Sequence, residues 1–187
     1  MFFMGILTLV SVVILAACGN DNEEVNHENM DMKSNSGSED GMDMNHSGSG
    51  EIPDDLTVAE NPIYKVGNQV VLETDHMEGM KGAEATIVGA YDTTAYAISY
   101  TPKTGGEKVT NHKWVIQEEI NDAGDETLET GTEVTIEADH MEGMNGVTAE
   151  IDSSEQTTVY MVDYTSTTGG EKVTNHKWVT ESELSAK

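Results

Sequence analysis

The sequence predicts an all-β protein, two tandem small SH3-like barrels behind a disordered tether. Three observations carry that prediction. Short runs rich in Val, Ile, Thr and Tyr alternate with polar residues, the period-two pattern of a half-buried strand. Gly, Asn and Thr-Gly-Gly punctuate those runs as turns do. Residues 67–119 also align on residues 131–183 at a constant offset of 64, without a gap, so one structural unit occurs twice.

Within the repeat, Gln69–Glu73 and Glu133–Glu137 read as matching strands, and Ala85–Val88 as the next. Ala95–Tyr100 and Thr158–Tyr164 alternate with period two. His112–Ile116 is a last short strand, followed by an acidic Gln117–Ile120 segment of helical character. Units this small lie near the lower limit of independent stability, and two copies packed together relieve that limit. The expected boundaries are 62–124 for the first repeat domain and 125–187 for the second.

Residues 1–17 stand outside the fold. Phe2 to Ala17 is apolar or small and uncharged, and ends in Leu15-Ala16-Ala17-Cys18. A stretch this short reads as a secretory signal peptide rather than a membrane span. Its ending has the form of a bacterial lipobox, with Cys18 as the lipidated residue, although the usual basic residues before the apolar run are missing. Cys18 is the only cysteine, so no intramolecular disulfide and no thiolate metal site is available. Residues 18–61 are rich in Asn, Asp, Glu, Ser, Gly and Met and read as an acidic, disordered tether. That tether carries His27, Met30, Met32, Met42, Met44 and His46.

The net charge is −26, from 35 acidic side chains against nine lysines and no arginine. Nucleic acid is excluded as a partner, because phosphate neutralisation needs clustered Lys and Arg. Cations are favoured ligands.

Two blocks are identical between the repeats. Asp75-His76-Met77-Glu78-Gly79-Met80 recurs as Asp139-His140-Met141-Glu142-Gly143-Met144, and Thr104–Val115 recurs as Thr168–Val179. Met77 and Met80 are three apart, so one helical turn would put both sulfurs on one side. His112 and Trp114 are two apart and share a strand face. If the turn folds over that face, His76, Met77, Met80 and His112 form one site, and His140, Met141, Met144 and His176 a second. Thioethers are soft, neutral donors that select Cu(I) over zinc, calcium or magnesium, and imidazole suits copper in either oxidation state. Trp114 and Trp178 would shield the ion from water, and Asp75 and Asp139 would orient imidazoles from behind. All six histidines lie in these blocks or beside tether methionines.

The lipobox, the Met/His-rich tether and the tandem Asp-His-Met-x-Gly-Met and Thr-Asn-His-Lys-Trp-Val blocks resemble the YdhK-type lipoproteins of Gram-positive bacteria. One branch of that family is associated with copper resistance. The resemblance covers essentially the whole mature chain. It implies a protein on the outer face of the cell membrane, held by its lipid, that binds copper and protects the cell beside copper-exporting pumps. It points to the same eight His and Met residues.

The expectation is therefore a non-enzymatic copper buffer or shuttle. No nucleophile elbow, phosphate-binding glycine loop or HExxH motif occurs. Three rivals stand beside it. A wall- or glycan-binding module would show an exposed aromatic groove away from the histidines. A copper oxidoreductase would need an open coordination position. A zinc protein would use His with Asp75 or Glu78.

Overall fold

One strand pairing organises the molecule. The computed structural model describes residues 47–187; Cys18, the signal segment and the tether methionines and histidines lie outside them. Eight strands follow in order: β1 Thr57–Val58, β2 Gln69–Leu72, β3 Glu84–Tyr100, β4 Val109–Ile116, β5 Glu133–Thr135, β6 Thr148–Thr165, β7 Lys172–Thr180 and β8 Leu184–Ala186. Single 3-10 turns, Gln117–Glu119 and Glu181–Glu183, follow β4 and β7. All strands join one antiparallel sheet in the order β5-β6-β3-β2-β8, with β1 and β4 on β3 and β7 on β6. The all-β class is as the sequence predicts. The covalent chain, rather than a strand pairing, links β7 to β8 through the second 3-10 turn.

The strands expected at Ala85–Val88 and Ala95–Tyr100 are one continuous strand, β3. Residues 89–94 contain no proline, and they gain a partner that local pattern cannot reveal: β6, the equivalent strand of the second repeat. The pairing runs from Ala85↔Tyr164 to Tyr100↔Ala149. At its centre Thr93 pairs with Thr157, the same position of the repeat 64 residues on. The two copies thus meet about a local two-fold axis. Register breaks at Val88 on β3 and at Asp152 on β6, again equivalent positions, and each bends its strand.

Strands of 17 and 18 residues extend about 55 Å, too far for one small core. Each serves two. The first core joins Val70, Leu72, Ala85 and Ile87 to Tyr160, Val162, Tyr164, Val179 and Leu184. The second joins Tyr96, Ile98, Tyr100 and Val115 to Ile136, Ala149 and Ile151. Each of these two cores therefore takes the front half of one repeat and the back half of the other, so neither core belongs to one of the sequence halves 62–124 and 125–187 alone. Between them lies a third cluster with both tryptophans, Trp114 and Trp178.

Part of the expected tether is built into the fold. Leu56 and Ala59 are buried, and β1 pairs with β3 through Thr57↔Asp92 and Val58↔Tyr91. Composition averaged over 18–61 hides this, because the few aliphatic residues stand together at the segment's end. Leu56 supplies the apolar surface that orders it.

The hairpin tips reach across the exchange. Lys103 N–H donates to Gly143 O at 3.0 Å, and Thr167 N–H donates to Gly79 O at 2.9 Å. Gly143 sits at φ +77, where a Cβ would stand 2.8 Å from Thr104 Oγ1. Gly143→Ala is expected to cost about 1–3 kcal/mol in urea unfolding through backbone strain and this contact. Gly131→Ala, at φ +86 with open space around it, isolates the backbone part alone, about 1–2 kcal/mol.

Candidate metal centre

The Asp-His-Met-Glu-Gly-Met turns follow β2 and β5. In each, the N–H of the second methionine donates to the carbonyl of the first: Met80 to Met77 and Met144 to Met141, both at 3.2 Å. This tight turn separates the sulfurs that the sequence reading put together. Met80 and Met144 are fully buried, one in each main core. Met77 and Met141 are half-buried and line an open cavity of ≈ 1140 Å³.

That cavity unites what the sequence divided between two sites. His76, His112, His140 and His176 all line it. β4 delivers His112 through an irregular stretch: Val115 pairs with Tyr96, His112 with Ile98 and Val109 with Tyr100. Three residues of β4 thus match two of β3 on either side of His112, so simple alternation from Trp114 fails there. β7 repeats the pattern around His176. Asn111 and Asn175, just before these histidines, both sit at φ +52, a left-handed conformation that asparagine tolerates. The Lys113–Trp114 and Lys177–Trp178 peptides are cis.

Two carboxylates that the sequence reading did not single out anchor the site. Glu183 Oε1 accepts a hydrogen bond from His76 Nε2 at 2.7 Å, and Oε2 accepts from Trp114 Nε1 at 2.8 Å and Thr180 N at 3.0 Å. Glu119 repeats this with His140 at 2.8 Å, Trp178 at 3.0 Å and Ile116 N at 3.2 Å. The exchange is reciprocal, since each glutamate serves the His and Trp of the other repeat. The 3-10 turn aims the side chain, which reaches back three residues to close its own turn. Asp75 and Asp139, expected in this role, are exposed at the cavity rim. Glu119 and Glu183 end the gapless repeat alignment, and that was the available signal. They hid inside an acidic segment whose charge looked like surface.

An ionised carboxylate only accepts hydrogen bonds. Facing Glu183 and Glu119, His76 and His140 therefore carry a proton on Nε2, and in the neutral ring Nδ1 keeps its lone pair. Both Nδ1 atoms are buried without a hydrogen-bond partner, as is His112 Nε2. Burial pushes Glu183 up, but the His76 hydrogen bond and charge, then Trp114 and Thr180, outweigh it and hold the carboxyl down at about 2. Burial likewise opposes ionisation of Glu119, and His140, Trp178 and the Ile116 amide win, holding it below its usual value. For His112, burial first and the neighbouring His140 and His76 next drive the imidazole down to about 4, against a small upward pull from Glu119.

The tryptophans act through their edges. Both are buried, both donate to a glutamate, and Trp114 meets His76 edge-on at 6.3 Å. Five of the six tyrosines are buried, and Tyr64 is half-buried and bonded to Leu184 O. No exposed aromatic groove of the kind a glycan module needs occurs among the described residues.

These features define a class: a duplicated β-protein whose copies exchange halves around a cavity lined by histidine and methionine. The chain belongs to the family described as protein of unknown function (DUF1541), whose profile matches residues 66–117 and 130–181. It is 62% identical over 188 residues to "Uncharacterized protein YdhK" of Bacillus subtilis (strain 168), covering 100% of this chain and 89% of that one. A 2.00 Å crystal structure of the ydhK protein matches with a TM-score of 0.75 at 69% identity, covering 78% of this chain and 99% of that one. A solution NMR structure of the ydhK C-terminal domain matches with a TM-score of 0.63 at 73% identity, covering 66% and 93%.

Proposed function

We propose that this protein binds and buffers copper, as Cu(I), on the outer face of the cell membrane, anchored by a lipid on Cys18, and that it contributes to copper resistance without catalysing a reaction. One observation carries the reading: three buried imidazole nitrogens without partners, His76 Nδ1, His140 Nδ1 and His112 Nε2, belong to rings that line one cavity with Met77 and Met141. A buried polar atom left unpaired costs free energy, and a bound ion removes that cost. Glu183 behind His76 and Glu119 behind His140 form the arrangement that orients metal-ligating histidines.

The donor set favours a soft ion. Among the described residues no three His, Cys, Asp or Glu side chains are grouped to hold an ion. The half-buried thioethers of Met77 and Met141 line the same cavity as the histidines, and thioether sulfur selects Cu(I) over zinc. The chain's own part is to hold the rings in one tautomer and supply soft donors. Passing copper to a membrane exporter fits the same residues.

Anaerobic titration with Cu(I) against a competing chelator tests this. Met77→Leu with Met141→Leu is expected to weaken binding by at least about 10- to 100-fold, since losing donors costs no less than losing the groups that merely support them. Met80→Leu with Met144→Leu is expected to leave binding intact and cost less than about 1.5 kcal/mol of stability for each exchange. Failure of the wild-type chain to compete for Cu(I) would sink the copper reading.

A further inference from the structure

The cavity is built from two copies of the same residues, yet its two sides are not equally open. Thr174, Asn175 and Lys177 repeat Thr110, Asn111 and Lys113 without change. On the first side Thr110 and Asn111 are exposed and His112 is half-buried. On the second, Thr174 and Asn175 are half-buried and His176 is only 8% exposed. The residues compared are identical, so the difference lies in the element that packs against them.

That element is the segment at 47–53, which lines the cavity and has no second copy. Hydrogen bonds tie it to β7. Gly48 N–H donates to Thr174 O at 2.9 Å, Thr174 N–H donates to Ser47 Oγ at 3.0 Å, and Lys177 Nζ donates to Glu51 O at 2.6 Å. Glycine permits the approach: a Cβ on Gly48 would stand 2.6 Å from Asn175 O, and Gly50 sits at φ +79 against the Asn175 side chain. Ser47-Gly48-Ser49-Gly50 has the composition of a flexible linker, but here it is a fitted contact.

We propose that residues 47–53 form a strap that closes the His176 side of the cavity, so that a metal ion enters and leaves past His112. The identity of the ion rests on the copper reading above; the strap itself does not. Chemical access separates the two. The full-length chain in detergent, free of metal, is treated briefly with diethyl pyrocarbonate, and modification of His112 and His176 is read by peptide mass spectrometry. Both Nε2 atoms are buried, so each reacts only when its surroundings open; His112, with no strap over it, is expected to react about tenfold faster, the ratio that a 1.4 kcal/mol difference in opening cost produces. Gly48→Val, which drives a side chain into Asn175, is expected to bring His176 up to the rate of His112. Lys177→Met, which removes the bond to Glu51, moves it in the same direction by less. Equal labelling in the wild type, or an excess at His112 that survives both substitutions, would overturn the strap.

Release of Cu(I) to a chelator, followed by stopped flow, tests the gate. Gly48→Val is expected to release about tenfold faster, again the equivalent of 1.4 kcal/mol. Unchanged release from a variant whose His176 has become reactive would overturn the gate. A chain that labels unequally but retains no Cu(I) refutes the copper reading and leaves the strap standing.

Discussion

Replacement of Glu119 by alanine is expected to destabilise the protein by about 3–5 kcal/mol, the range for removing one partner of a buried ionic contact. Glu119 is 5% exposed and accepts from His140, Trp178 and the Ile116 amide. Without it, three donors lose their acceptor in a place water does not reach, and each carries its own desolvation cost. Glu183→Ala loses four such bonds, because Thr74 also donates to Oε1 at 3.1 Å. Its site is somewhat wetter, with the glutamate side chain 12% exposed against 6% for Glu119, so its effect falls at the lower end. Urea unfolding measures both. A loss under 1 kcal/mol in either would show that these carboxylates are surface charges that happen to lie near a histidine.

Glu119→Gln separates stability from metal binding. Oε2 takes two donors and Oε1 one, so the amide nitrogen takes the position facing His140. An amide N–H there makes His140 Nε2 the acceptor and moves the ring proton to Nδ1. The Nδ1 lone pair that the copper reading assigns to the ion is then gone, while the packing is kept. Cu(I) affinity is expected to fall about 10- to 100-fold, with a far smaller change in the urea midpoint than alanine causes. Equal Cu(I) affinity in wild type and Glu119→Gln would remove His140 Nδ1 from the ligand set.

The fold was legible where local pattern decides structure. The strands at Gln69–Leu72 and around His112 stand where the sequence puts them, and the turn Gln117–Glu119 lies in the segment read as helical, but the irregular pairing on either side of His112 does not follow from alternation. What local pattern cannot supply is the partner of a strand. Nothing in Ala85–Tyr100 says that it pairs with its own repeat equivalent, because both repeats carry the same apolar positions and either satisfies the same core. The site was legible as composition and illegible as geometry. His76, Met77 and His112 do gather, but with His140 and Met141 rather than with Met80. The turn that follows β2 decides this, since one hydrogen bond from Met80 to Met77 sends the second sulfur inward. Glu119 and Glu183 escaped notice for an electrostatic reason. In a chain with 35 acidic residues, a carboxylate that holds an imidazole looks like any other until its burial is known.

Acid is expected to weaken the protein in two separate windows, and His112 sets the first. Its imidazole is held down at about 4 from an ordinary 6.5 by burial and by the proximity of His140 and His76, with Glu119 pulling weakly the other way. The unfolded chain binds this proton more readily than the native one. Between pH 6.5 and 4 the unfolded state therefore takes up a proton that the native state refuses, and stability falls as pH drops. The full shift corresponds to roughly 3 kcal/mol at 1.36 kcal/mol per unit, most of it lost by pH 4.5. Glu183 sets the second window with the opposite kind of shift. Its carboxyl is lowered from 4.5 to about 2, so its contribution is complete above 4.5 and is lost as pH falls toward 2. Urea unfolding of wild type and His112→Leu at pH 7 and pH 4.5 isolates the first window. The wild type is expected to lose about 2–3 kcal/mol more than the variant over that interval, and equal losses would show that His112 is free to take up its proton in the folded chain. The same proton competes with metal, because a ligating imidazole must be neutral. An imidazole that stays neutral down to about pH 4 keeps its lone pair available in mildly acidic surroundings, where an ordinary histidine would be charged. Cu(I) affinity should therefore decline less between pH 7 and 5 in the wild type than in a chain whose binding depends on exposed histidines alone.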